Sequence, residues 1–175
     1  MKIRIAVIAG TLALALVPVR AAGQGAVRCH GHEATIVGTD GDDKLQGVGD
    51  GDVIAGLGGN DTIYGWSGRT IICGGPGNDR VDGDHGRDIL YGGSGDDTVV
   101  GEMARDVVIG GAGEDIVLGR HGADELRGGP GPDFVKGSFG MDKYFGGSGT
   151  DRCGGDEDDL EHHSCEERAA TMGDI

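Results

Sequence analysis

The chain has 175 residues, of which 39 are Gly and only seven are aromatic (Trp66, three Tyr and three Phe). So much glycine, about three times the usual share, excludes a helical bundle and a core built from large side chains. Thirty Asp and Glu against fifteen Lys and Arg set the formal charge at -15, which argues against nucleic acid or an anionic membrane surface as partner and favours a cation.

Residues 1–23 read as a secretory signal peptide. Lys2 and Arg4 form a basic start, Ile5 to Val19 is apolar apart from Gly10, Thr11 and Pro18, and the small residues Ala21, Ala22 and Gly23 follow. The apolar run is about 15 residues, short of the ~20 that span a bilayer, and no later segment is apolar enough to cross one. The expectation is a secreted, soluble, extracellular protein, with residues 24–37 as an N-terminal cap.

From Gly38 to Gly154 the chain divides into thirteen nonapeptides without an insertion. The first position is Gly in all thirteen, the sixth is Asp in twelve with Thr70 as the exception, and the eighth is always apolar. Glycine at the first, second and fourth positions permits positive φ, so six residues can make a tight turn with inward carbonyls. The last three residues form a short strand whose middle side chain faces inward. Two turns and two strands close one coil of eighteen residues, and parallel stacking at ~4.8 Å makes a rod of about 31 Å. The expected inward column is Leu45, Ile54, Ile63, Ile72, Val81, Leu90, Val99, Val108, Val117, Leu126, Val135, Tyr144 and Cys153. Carboxylates stacked in that way repel by ~3 kcal/mol per pair at an effective dielectric of ~20 unless a cation lies between them.

An eighteen-residue modulation overlies the nine. Units beginning at 38, 56, 74, 92, 110, 128 and 146 all keep Gly at the fourth position, as in Gly74-Gly75-Pro76-Gly77-Asn78-Asp79. Alternate units are looser: Asp50 and Ala104 replace that Gly, and Trp66, Glu102, Arg120 or Phe139 intrude. One edge of the rod is therefore regular and the other irregular. Beyond the repeats, residues 155–175 read as an acidic C-terminal cap and tail, with Asp156 to Asp159 a solvated linker.

GGPGND, GGSGDD and GGAGED, each followed by a strand triplet, resemble the haemolysin-type calcium-binding (RTX) nonapeptide repeat, in a secreted variant with an N-terminal signal and disulfides. The resemblance implies an all-β fold, a parallel β-roll (β-solenoid) of 18-residue coils with short N- and C-terminal caps, that folds on binding several Ca²⁺ ions. It implies ligands from the sixth-position carboxylates of stacked turns and from glycine carbonyls, an all-oxygen set suited to a hard cation. On the regular edge these are Asp43, Asp61, Asp79, Asp97, Asp115, Asp133 and Asp151, with Gly56 and Gly58, Gly74 and Gly77, Gly92 and Gly95, Gly110 and Gly113, and Gly128 and Gly131. On the irregular edge Asp88, Asp106, Asp124 and Asp142 offer up to three weaker sites. There Thr70 breaks its pairs with Asp52 and Asp88, and Ala104 is expected to spoil the turn before Asp106.

Four cysteines depart from the toxin members of that family and suit an oxidising setting. A Cys153–Cys165 bridge would pin the tail over the open end of the rod, and Cys29 then pairs with Cys73 by elimination, which needs the N-terminal segment to fold across. Cys29, His30 and His32, or His162, His163 and Cys165, lack the paired motifs of a zinc site. No nucleophile motif occurs in a strand-to-helix context, and a convex rod has no catalytic pocket. The expectation is a non-enzymatic structural or interaction module. The alternative is an accessory module of the kind attached to secreted proteases, lipases or epimerases, although the ~14 residues between signal and repeats leave no room for a catalytic domain. Val53, Ile71, Ile89 and Val107, at the seventh positions of four successive rungs, form an apolar stripe expected to serve self-association or a protein partner.

Overall fold

A computed structural model describes residues 26–155, 161–163, 165 and 167–168. Residues 1–23, read from the sequence as a signal peptide, the acidic run Asp156 to Asp159 and the end of the tail lie outside the described residues. Two eight-stranded parallel sheets face each other across one thin core. The first comprises Lys44–Gln46, Thr62–Tyr64, Arg80–Asp82, Thr98–Met103, Ile116–His121, Phe134–Phe139, Arg152–Gly154 and Glu167–Arg168. The second comprises Ile36–Val37, Val53–Ala55, Ile71–Pro76, Ile89–Ser94, Val107–Ala112, Glu125–Pro130, Lys143–Ser148 and Glu161–His163. Neighbouring strands are in register at eighteen residues, as in Val81 against Val99 and Leu90 against Val108.

The eighth-position side chains from Leu45 to Cys153 form one continuous buried column, extended at its start by Ile36. Each lies between the equivalent residues of the coils before and after it, so no large side chain is needed to close the core. Tyr144 is the one aromatic in the column and is fully buried.

Three features differ from the repeat-based expectation. The mid-rod strands are six residues long rather than three, because the first residues of a turn also pair with their equivalents, as Gly75 does with Gly93. Parallel pairing runs past the last full repeat at both ends: Ile36–Val37 stacks on Ile54–Ala55, and Glu161–His163 on Lys143–Phe145. The seventh-position stripe is also less exposed than its sequence suggests. Val53 is buried, and Ile71, Ile89 and Val107 are half-buried.

A two-stranded antiparallel hairpin, Arg28–Cys29 with His32–Glu33, folds onto the second sheet against Val53–Ala55 and the strand that starts at Ile71. It is tied there by the Cys29–Cys73 disulfide, and His30 stacks on the Tyr91 ring. Cys153 and Cys165 form the second bridge. Both pairings agree with the sequence reading.

Candidate metal sites

The regular turns run from the second sheet to the first and bring their sixth-position aspartates into one column. In each, the backbone N–H donates to Oδ1 of the aspartate one coil further on: Asp43 to Asp61, Asp61 to Asp79, Asp79 to Asp97, Asp97 to Asp115, Asp115 to Asp133 and Asp133 to Asp151, all at 2.7–3.0 Å. The other oxygen is different. Oδ2 of Asp61, Asp79, Asp97, Asp115, Asp133 and Asp151 is buried with no hydrogen-bond partner. Asp43, at the open end, spends its Oδ2 on Thr39, accepting from its backbone N–H at 2.6 Å and from its hydroxyl at 2.9 Å.

The first-position glycines frame these orphaned oxygens. A Cβ at Gly92 would lie 2.5 Å from Asp97 Oδ2 and 2.5 Å from the Gly110 carbonyl oxygen. Gly56, Gly74, Gly110 and Gly128 likewise have their own turn's carboxylate in the space a Cβ would fill. At the fourth position, Gly77, Gly95, Gly113 and Gly131 hold positive φ and receive the carbonyl of the equivalent residue one coil earlier. Gly58 takes the third position of its turn and donates to Thr39 O at 3.2 Å. Carboxylate and carbonyl oxygens thus converge, with no buried lysine or arginine among them. This donor set fits a hard divalent cation.

Burial is the main influence on these carboxylates and raises them; the backbone N–H bond pulls back, and at Asp61, Asp97, Asp115 and Asp133 neighbouring carboxylates push up again. Asp61 and Asp133 are raised to about 6 and Asp97 to about 7, while Asp79 and Asp115 move in the same direction. A buried carboxylate with one unmet oxygen is costly unless protonated or matched by a cation.

On the irregular edge the same ladder runs from Thr70 to Asp142, with Asp88, Asp106 and Asp124 donating to the next Oδ1 at 2.8 Å and Thr70 to Asp88 at 2.7 Å. Asp88, Asp106 and Asp124 leave Oδ2 buried without a partner, and burial raises them to about 6, 8 and 6. Thr70 remains in the column and adds its own hydroxyl to Asp88 Oδ1 at 2.9 Å. Asp52, beyond it, accepts from Val48 and Gly49 N–H and from the Thr35 hydroxyl. It caps its own turn and contributes no orphaned oxygen.

Ala104 does not break the turn before Asp106, contrary to the sequence reading. It adopts φ 80°, and Trp66, Asp84, Glu102, Arg120 and Ser138 sit at similar positive φ in second positions of this edge. Left-handed backbone costs an L residue roughly 1–2 kcal/mol, so this edge keeps its shape by tolerating strain where most second positions of the regular edge use glycine, Leu57 at φ 84° being the exception there.

Among the described residues no helix is long and apolar enough to cross a membrane. No curated protein and no solved structure matches the chain. The model of the RTX calcium-binding nonapeptide repeat matches in four copies, over residues 37–72, 73–108, 99–126 and 118–153, together about two thirds of the sequence. With its nonapeptide register, parallel β-roll and stacked aspartates, the chain belongs to the RTX calcium-binding nonapeptide repeat family.

Proposed function

We propose that this protein is a secreted, non-enzymatic structural or interaction module whose repeat domain folds when it binds calcium outside the cell. The observation that carries the reading is the pair of aspartate columns in which, from Asp61 to Asp151 and from Asp88 to Asp124, one oxygen holds the preceding coil and the other is buried and unmatched. On the regular edge, ions between successive coils take Oδ2 from Asp61 through Asp151 and carbonyl oxygens from Gly74, Gly77 and their equivalents. Asp43 makes the first gap the poorest. On the other edge the sites are those of Asp88, Asp106, Asp124 and Asp142.

Each ion needs two adjacent coils, so binding one orders the site for the next, and occupancy rises cooperatively. Affinity in the range of extracellular calcium modules, ~10⁻⁴ to 10⁻³ M, leaves the chain unfolded before export and folded after it. Circular dichroism of the oxidised protein in chelator should show mostly coil, with a β spectrum appearing steeply on calcium addition. An unchanged β spectrum in chelator at neutral pH would overturn the coupling of folding to the metal.

A further inference from the structure

The fifth position of each turn sits just outside the aspartate column. On the regular edge short acceptors there build a second ladder: Asn78 N–H donates to Asn60 Oδ1 at 2.8 Å, Asp96 N–H to Asn78 Oδ1 at 3.0 Å and Glu114 N–H to Asp96 Oδ1 at 2.9 Å. On the irregular edge, three successive fifth positions are Arg69, Arg87 and Arg105, all exposed. A guanidinium has no acceptor and cannot serve the turn in that way.

Three like charges at the ~4.8 Å rung spacing also repel one another. Three other exposed arginines sit beside acids: Arg80 with Asp82 at 4.0 Å, Arg120 with Glu102 at 3.9 Å and Arg127 with Glu125 at 2.5 Å. Arg69, Arg87 and Arg105 make no salt bridge within 4 Å among the described residues, although Arg87 and Arg105 lie near enough to Asp106 and Asp124 to pull those carboxylates down, in a chain with twice as many acids as bases. The three line one open groove of about 570 Å³ together with Ile89, Val107, Asp50 and Asp88.

We propose that Arg69, Arg87 and Arg105 form a carboxylate-binding ladder for a linear acidic polysaccharide. The guanidinium fork matches a carboxylate in two parallel hydrogen bonds, and one arginine per coil suits a polymer whose charges recur regularly along an extended chain. The half-buried side chains of Ile89 and Val107 in the groove suit the C–H faces of sugar rings. A nucleic-acid strand would call for aromatic stacking platforms, and no aromatic side chain lines the groove. The ladder exists only in the folded roll, so it rests on the calcium-loaded state of the preceding section.

The test uses the full oxidised protein in saturating calcium, with polygalacturonate as probe and uncharged dextran, heparin and polyphosphate as comparisons. Wild type should bind polygalacturonate over dextran, with log Kd rising with log salt at a slope near 2 for three charges. The triple variant R69Q/R87Q/R105Q should lose roughly tenfold or more in affinity and most of the salt slope. The control R80Q/R127Q should bind as wild type. Circular dichroism and a calcium titration on the same samples report whether each variant has folded, and single variants R69Q, R87Q and R105Q, expected to lose affinity stepwise, serve if the triple variant does not fold. Folded wild type that ignores polygalacturonate, folded variants that bind it unchanged, or preference for polyphosphate would each overturn the proposal, whereas heparin, itself a linear acidic polysaccharide, should bind through the same ladder and lose affinity in the triple variant. A roll that binds the polymer with no calcium present would leave the ladder standing and overturn the metal reading instead.

Discussion

Asp97 accepts the Asp79 backbone N–H on Oδ1 at 2.7 Å and turns Oδ2 toward Gly92, where a Cβ would lie 2.5 Å away. One side chain thereby closes the ladder to the preceding coil and presents a bare oxygen beside its own turn. The repetition of this arrangement along both edges explains why so thin a core is paired with so acidic a sequence.

Protonation should substitute for the metal. Burial raises Asp97 to about 7 and Asp106 to about 8, with Asp61, Asp88, Asp124 and Asp133 near 6, whereas in the unfolded chain such groups ionise near 4. Between roughly pH 4 and 8 the metal-free fold holds protons the unfolded chain has released, so its stability falls as pH rises. In chelator, the β signal should be strongest near pH 4 and decline toward pH 8. In saturating calcium it should persist at neutral pH. A chelated sample whose β signal grows with pH would contradict this.

The two edges should differ in weight. Asp97 serves the gaps on both sides of its coil in the glycine-built edge, whereas Asp106 follows the strained turn at Ala104. In calcium, Asp97→Ala should reduce ion stoichiometry more than Asp106→Ala and lower Tm further, by on the order of 5 °C. Equal effects, measured by calorimetry and thermal melts, would mean that the edges are equivalent.

Glycine at the first position is a requirement of the site. Gly92→Ala puts a methyl between Asp97 Oδ2 and the Gly110 carbonyl and should cost several kcal/mol together with the adjacent ions, since overpacking and a lost metal are both severe mechanisms. Gly49→Ala meets nothing within 4 Å and should stay within about 0.5 kcal/mol of wild type. Thermal melts in calcium that rank the two variants together would discredit the cradle.

The hairpin should detach without the first disulfide. Cys29 and Cys73 are 44 residues apart, and closing a loop of that length is worth about 4 kcal/mol in the chain-entropy treatment. In C29S/C73S, hydrogen exchange should speed up over residues 26–34, while the amides of Leu90 and Val108 stay protected in calcium. Uniform loss of protection along the rod would instead assign the bridge to global stability.

The sequence by itself determined the coil, its register and its buried column. A nine-residue period places Ile63, Val81 and Val99 in identical surroundings, so one repeat predicts them all, and the same logic selected the aspartates. Only the tertiary structure decided which oxygen of each aspartate holds the neighbouring coil and which remains bare. It also decided that Asp43 and Asp52 are satisfied through Thr39 and Thr35, that Ala104 accepts a glycine backbone, and that Val53 is buried. That Arg69, Arg87 and Arg105 share one groove became visible only once neighbouring rungs were in place. These outcomes depend on contacts between coils eighteen residues apart and on the ends of the rod, where a coil lacks one neighbour and its polar groups must find other partners.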